Sequence, residues 1–76
     1  MKTFYVCYTC ESYIKWENVT QGLEVTIEEI RIEVMNKLLK YDYFIVKNDN
    51  GYSLINSSLV RYVSIVNEKT ESMKVN

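Results

Sequence analysis

Histidine, proline and alanine are absent from this chain of 76 residues, and only two of its residues are glycine. Without histidine, the usual base for a serine or cysteine nucleophile is missing. The common zinc ligands that remain are cysteine and carboxylates. No apolar run reaches the roughly 18 residues that a membrane-spanning helix needs. These absences argue against a nucleophilic enzyme, a histidine-ligated metal centre and a membrane protein.

The charge balance narrows the possible partners further. The formal net charge is −1 and the isoelectric point is near 5.3, so no overall positive field attracts nucleic acid. Hydrophobic residues make up 47% of the chain, which is typical of a folded domain. We expect one compact domain over residues 1–66, followed by a polar, flexible tail over residues 67–76.

The composition also indicates an origin. Missing alanine and proline, with abundant lysine, asparagine and isoleucine, are typical of AT-rich genomes such as those of many Gram-positive bacteria and their phages. The first residues lack the charged head and continuous apolar run of a signal peptide. We therefore expect a cytoplasmic protein with reduced thiols, encoded by a phage, a prophage or another mobile element.

The N-terminal segment predicts two antiparallel strands. Residues 3–10 are rich in aromatic and β-branched side chains, and the pattern resumes over residues 12–19. We expect the first strand to be central or covered on both sides, because both of its faces are apolar. Those faces consist of Phe4, Val6 and Tyr8 on one side, and Tyr5 and Cys7 on the other.

A helix is predicted over residues 26–40. Thr26 and Glu29 have the spacing of a capping box, and Val25 with Ile30 has the spacing of a hydrophobic staple. Glu33 and Lys37 are spaced for an ion pair along the helix. An apolar stripe recurs at helical spacing through Ile27, Ile30, Val34 and Leu38, and is widened by Met35 and Leu39.

A β-hairpin is predicted over residues 43–56, and its turn has two candidate forms. A two-residue Asn50-Gly51 loop sets Val46 opposite Ile55. A three-residue loop that starts at Asp49 matches apolar with apolar residues and is preferred. Its pairs are Val46 with Leu54, Lys47 with Ser53, and Ile45 with Ile55.

A tight turn at residues 56–58 and a final strand over residues 59–66 complete the pattern. The element order β-β-α-β-β-β predicts a small α+β domain in which a curved antiparallel sheet packs on one helix. A small SH3-like barrel with an inserted helix is the alternative.

Cys7 and Cys10 form a C-x-x-C pair in a strand context. A structural zinc site usually needs four ligands, and one chain offers only two thiols and no histidine. Residues three apart on a regular strand also point to opposite faces, which argues against a site shared between two chains. Redox pairs of this kind usually begin a helix, which is not predicted here. We expect two structural thiols, with no metal and no cofactor; a four-thiolate site shared between two chains is the alternative.

Seven tyrosines, one tryptophan and two phenylalanines exceed what a core of this size can hold. Exposed aromatic residues are typical of interfaces, where they supply large contact area at low entropic cost. Aromatic residues beside basic ones can also stack on nucleic-acid bases. The candidate binding residues are Tyr13, Trp16, Tyr41, Tyr43, Tyr52, Arg61 and Tyr62.

The sequence thus favours a small non-catalytic interaction protein, a regulator or inhibitor that binds a host protein and forms a homodimer or higher oligomer. The acidic residues are explained by helix capping and by turns, so no catalytic residue is assigned. The alternative is an oligomer that binds a nucleotide or nucleic acid between subunits. A minor structural component of a phage is a third class.

Overall fold

A computed structural model describes residues 1–67 of the chain, and it contains five strands and one α-helix. This confirms the predicted α+β class and the element order. The elements are β1 (Lys2–Cys10), β2 (Ile14–Gln21), α1 (Ile27–Lys40), β3 (Tyr43–Asn48), β4 (Gly51–Asn56) and β5 (Val60–Asn67), with a 3₁₀ helix over Ser57–Leu59.

The five strands form two antiparallel sheets where one was expected. The first sheet has the order β2-β1-β5, and the second is the β3–β4 hairpin. The first sheet is curved but not closed, so the SH3-like barrel is not formed. Side chains join the sheets: Asn48 Nδ2 donates to the carbonyl of Trp16 at 2.9 Å, and Lys15 Nζ donates to the carbonyl of Leu54 at 2.7 Å.

Strand β1 is central, as predicted, because β2 and β5 pair with its two edges. One face of the first sheet, which we call the inner face, packs against the helix and the hairpin. The core cluster consists of Phe4, Val6, Tyr8, Ile30, Val34, Val46 and Ile55, all at most 2% exposed. The core therefore lies between the first sheet, α1 and the second sheet.

Helix α1 begins where the sequence predicts. The backbone N–H of Glu29 donates to Thr26 Oγ1 at 3.2 Å, and the N–H of Thr26 donates to Glu29 Oε1 at 2.9 Å. Both hydrogen bonds of the capping box are thus present. They satisfy two backbone donors for which the first turn of a helix has no internal acceptor.

Replacing Thr26 with alanine should lower the free energy of unfolding by about 1 kcal/mol, because the N-cap acceptor is lost. Thr26→Ser keeps a hydroxyl at this position and should retain most of that stability. Urea denaturation followed by circular dichroism measures both variants. Equal stability of Thr26→Ala and the unchanged protein would contradict the contribution assigned to the cap.

The apolar stripe of α1 is narrower than predicted. Ile30 and Val34 are buried and Ile27 and Leu38 are partly buried against the core, but Met35 is 46% exposed and Leu39 is 83% exposed. At 3.6 residues per turn, Met35 and Leu39 lie about 100–180° around the helix from the buried Ile30 and Val34, so their side chains point away from the core. The prediction that they widen the buried stripe is wrong.

Lys37 also has a different partner from the expected Glu33. Its ammonium lies 3.4 Å from Glu17 Oε2 and 5.3 Å from the centre of the Phe44 ring. The half-buried Lys37 thus connects α1 to β2 and β3, because this flank of the helix faces the hairpin.

Both hairpin registers considered from the sequence are wrong. The turn is the two-residue Asp49-Asn50 pair, so Asn48 pairs with Gly51, Val46 with Ser53, and Ile45 with Leu54. Asn48 Oδ1 accepts the backbone N–H of Asn50 at 2.9 Å and stabilises this turn. The turn therefore ends at Asn50, one residue before the Gly51 at which both predicted turns end. Gly51 follows the turn with a φ of +117°, a value that favours glycine.

Other boundaries shift by one or two residues. Strand β2 covers Ile14–Gln21 rather than 12–19, and β5 covers Val60–Asn67 rather than 59–66. The predicted turn at residues 56–58 is the start of the 3₁₀ helix, where Asn56 Oδ1 accepts the backbone N–H of Ser58 at 3.1 Å. Asn67, expected to begin the tail, ends β5, and the rest of the predicted tail lies outside the described residues.

Candidate functional site

The first sheet has a second face that points away from the helix, which we call the outer face. The strand registers assign its members directly, since residues opposite each other on neighbouring strands share a face. None of these side chains is charged. The outer face consists of Thr3, Tyr5, Cys7 and Thr9 on β1, Ile14, Trp16, Asn18 and Thr20 on β2, and Tyr62, Ser64 and Val66 on β5.

Four large apolar side chains of the outer face are open to solvent. Ile14 is 57% exposed, Trp16 45%, Tyr62 62% and Val66 48%. All four lie on the outer strands, whereas the β1 positions between them include the small residues Thr9 and Cys7. In cross-strand rows, Thr9 lies between Ile14 and Tyr62, and Cys7 lies between Trp16 and Ser64.

The hairpin has an exposed face of its own. Tyr43 and Ile45 on β3 share this side with Tyr52 and Leu54 on β4, and each of the four is at least 47% exposed. Lys47 lies opposite Tyr52 and brings a positive charge to this face. The structure therefore separates Tyr43 and Tyr52 from Trp16 and Tyr62, with which the sequence had grouped them.

The other three candidate residues have local contacts. Tyr13 lies in the β1–β2 turn, where its carbonyl accepts the backbone N–H of Cys10 at 2.9 Å. Tyr41 caps the end of α1, and its carbonyl accepts the Ser57 hydroxyl at 2.6 Å. Arg61 pairs with Glu11 at 2.9 Å, with both side chains exposed.

Two tyrosine hydroxyls have altered acidity. Burial, and then the hydrogen bond to Glu17, raises the pKa of Tyr8 well above its usual range. A hydrogen bond with the Cys10 side chain is the main cause that raises the pKa of Tyr13. Neither shift produces a tyrosinate near neutral pH, so neither residue becomes a base or nucleophile.

The polar group in the core is structural. Tyr8 is fully buried, and its hydroxyl donates to Glu17 Oε1 at 2.6 Å; Glu17 is itself 8% exposed. Lys37 provides the second contact to this carboxylate. The three residues link β1, β2 and α1 and leave no room for a substrate, because they lie within the packed interior.

The two cysteines face opposite sides of the first sheet. Cys7 lies on the outer face opposite Trp16, while Cys10 is 6% exposed and pairs with Val60, which packs against the core. Both thiols are free. Among residues 1–67, no group of three or more cysteine or acidic residues is arranged to hold a metal ion.

A shallow pocket opens where the end of β2 meets the first turns of α1. Its volume is about 180 Å³, and it is lined by Gln21, Val25, Glu29, Ile30 and Glu33. Small-molecule sites usually enclose about 300–1,000 Å³. The outer face is therefore a better candidate for a functional surface than this pocket.

Comparison of the chain with protein-family models, with curated proteins and with solved structures gives no match. In the part of the chain that the structure describes, α1 is too short and too polar to cross a membrane.

Sequence reasoning missed Ile14 and Val66 as members of the outer face. The period-two alternation that places Ile14 beside Trp16 and Val66 beside Tyr62 was available. What the alternation does not reveal is which face the helix covers, since both faces of β1 are apolar. Selecting aromatic residues alone therefore found half of the exposed apolar residues on this surface.

Proposed function

We propose that this chain is a small non-catalytic interaction protein that binds another protein through the outer face. One observation carries the proposal: a three-stranded face without a charged side chain exposes Ile14, Trp16, Tyr62 and Val66. Soluble monomers rarely leave large contiguous apolar patches open, and such patches mark interaction sites.

The chemistry of the face suits a protein partner. Trp16 and Tyr62 are residue types enriched among those that dominate binding energy, and Thr9 offers a hydroxyl between Ile14 and Tyr62. An apolar partner surface would lose little hydration there, because no charge on the face has to be desolvated. The partner we propose presents an apolar patch of its own.

We further propose that the partner is a host protein and that the chain acts as a regulator or inhibitor encoded by a phage or mobile element in the cytoplasm. The AT-rich character of the composition supports this origin. The alternative role, nucleotide or nucleic-acid binding, finds less support: the outer face has no lysine or arginine to contact phosphates, and Arg61 beside it is paired with Glu11.

Replacing Trp16 with alanine should weaken partner binding by about 2 kcal/mol or more, which is roughly a thirtyfold loss of affinity. The melting temperature should change little, because the indole is largely exposed. Tyr62→Ala should act in the same direction. The partner is first captured from a lysate of an AT-rich Gram-positive bacterium and purified, and its affinity is then measured by calorimetry.

Tyr52→Ala is the matched control, since Tyr52 is 73% exposed on the hairpin. It should keep full affinity. Unchanged affinity in both Trp16→Ala and Tyr62→Ala would refute the outer face as the binding surface. Absorbance at 260 nm of the denatured, purified protein tests the alternative, because a co-purified nucleotide would appear there.

A further inference from the structure

The hairpin and the first sheet meet along β2 without a shared backbone ladder. Within residues 1–67, β2 pairs with β1 alone, and β3 and β4 pair only with each other. Hydrogen bonds of side chains join the two sheets, and two of these involve the hairpin turn. Asn48 Nδ2 donates to the Trp16 carbonyl at 2.9 Å, and Asn18 Nδ2 donates to Asp49 Oδ1 at 2.7 Å. The hairpin turn therefore contacts the centre of β2.

The Asn48 side chain uses its whole amide group at this junction. Its Nδ2 donates to the Trp16 carbonyl and to Ser53 Oγ, both at 2.9 Å, and its Oδ1 accepts the backbone N–H of Asn50. An asparagine amide has two donor hydrogens and one acceptor oxygen, so both of its polar atoms have partners. One side chain thereby connects the hairpin turn, β4 and the backbone of β2.

Asparagine at this position does more than the turn requires. The turn needs a side-chain acceptor for the Asn50 N–H, which an aspartate or a serine also supplies. What asparagine adds is a donor, and that donor is directed at the Trp16 carbonyl and at Ser53. The contact with β2 is therefore a second task of Asn48, separate from closing the turn.

Both β2 residues that the turn contacts belong to the outer face. Trp16 and Asn18 are two positions apart on the strand, so their side chains point to the same side of the sheet. On one side the backbone of this segment pairs with β1, where Trp16 lies opposite Cys7. On its other side the Trp16 carbonyl accepts the Asn48 hydrogen bond. The hairpin thus contacts the strand segment from which the indole extends.

We propose that Asn48 is a positioning residue of the outer face, whose hydrogen bond to the Trp16 carbonyl holds β2 in the conformation that presents the indole. The proposal rests on the proposed function, because it takes Trp16 as a residue that binds the partner. Segments with few protected backbone hydrogen bonds open locally at low free-energy cost. Fixing such a segment before the partner arrives reduces the entropy lost on binding and so raises affinity.

Acrylamide quenching of tryptophan fluorescence tests the proposal on the full chain, because Trp16 is its only tryptophan. Asn48→Asp keeps an acceptor for the Asn50 N–H but removes the donor to Trp16, so quenching should increase. Ser53→Ala is the matched control, since it removes the other partner of Nδ2 and leaves the Trp16 contact in place. Its quenching should equal that of the unchanged protein. Circular dichroism of each variant checks that it is folded.

Affinity for the partner purified from the lysate is the second measurement. Asn48→Asp should weaken binding about three- to tenfold, which corresponds to the loss of one hydrogen bond. Ser53→Ala should keep full affinity. Asn48→Ser should weaken binding as Asn48→Asp does, because the serine side chain is neutral and ends one atom earlier. Agreement between the two Asn48 variants would show that the added charge of aspartate is not the cause.

Unchanged quenching in both Asn48 variants would overturn the proposal, and this outcome requires no partner. An equal increase in Ser53→Ala would overturn it too, since the effect would then come from a weaker hairpin in general. Loss of the fold in both Asn48 variants would assign Asn48 to the hairpin alone and would also overturn it. If Trp16→Ala loses affinity and the Asn48 variants keep it, this proposal fails and the proposed function stands. If Trp16→Ala keeps its affinity, the proposed function fails first.

Discussion

Replacing Ile55 with alanine should lower the free energy of unfolding by about 2–5 kcal/mol, whereas Ile45→Ala should change it by less than about 0.5 kcal/mol. Both isoleucines belong to the same hairpin, one on each strand. Ile55 is 1% exposed and lies in the core cluster, but Ile45 is 60% exposed on the opposite face. The two losses of stability differ because only the Ile55 substitution leaves a cavity in the core and removes buried apolar surface.

Urea denaturation of both variants, followed by circular dichroism, gives the two free energies. The comparison also tests the hairpin register. The register preferred from the sequence sets Ile45 directly opposite Ile55, and opposite residues share a face, so it buries both side chains together. The structure pairs Ile55 with Phe44 and Ile45 with Leu54. Similar losses in the two variants would therefore contradict the Asp49-Asn50 turn.

The helix could be predicted well because its signals are local. Thr26 and Glu29 are three residues apart, and the side chain of each accepts the backbone N–H of the other. These hydrogen bonds form within one turn of helix and do not depend on contacts with the rest of the chain. The central position of β1 was also predictable, since a strand that is apolar on both faces has to be covered or paired on both sides.

The hairpin register was harder to predict because three different turns are compatible with residues 48–52. Matching apolar pairs favoured a loop that starts at Asp49 and includes Gly51, since glycine commonly occupies a turn. In the structure the side chain of Asn48 closes the turn, and Gly51 pairs with Asn48. A side-chain hydrogen bond of this kind competes with the pairing preferences of the strands, and the sequence does not rank the two.

Part of the candidate site was beyond sequence reasoning for a geometric reason. Tyr8 and Tyr62 both lie within strands, yet Tyr8 is fully buried and Tyr62 is 62% exposed. The difference depends on which face α1 covers. In the same way, Met35 and Leu39 fit the helical stripe by spacing, but they are exposed because the core contacts the side of α1 that carries Ile30 and Val34.

Replacing Tyr8 with phenylalanine should lower the free energy of unfolding at neutral pH by about 1–3 kcal/mol, because the Glu17 carboxylate loses its buried donor. Lys37 remains 3.4 Å from that carboxylate and limits the loss. Urea denaturation at pH 7 measures the effect. A stability equal to that of the unchanged protein would show that the hydroxyl contributes nothing net to the fold.

The same hydroxyl should make the unchanged protein sensitive to alkali. Burial and the Glu17 hydrogen bond raise the pKa of Tyr8 in the folded state. Above about pH 10 the unfolded chain therefore releases this proton while the folded chain keeps it. The stabilising contribution is complete below that pH, and it is lost as pH rises, at up to about 1.4 kcal/mol per pH unit.

Denaturation series between about pH 8 and about pH 11 give this slope for three proteins. In Tyr8→Phe the part of the slope due to Tyr8 should disappear, because phenylalanine has no proton to lose. Tyr52→Phe should keep the part of the slope due to Tyr8, since Tyr52 lies on the exposed face of the hairpin and its replacement leaves the Tyr8–Glu17 hydrogen bond intact. If the slopes of Tyr8→Phe and the unchanged protein coincide, another group causes the alkaline loss, and the buried Tyr8–Glu17 contact does not hold its proton as described.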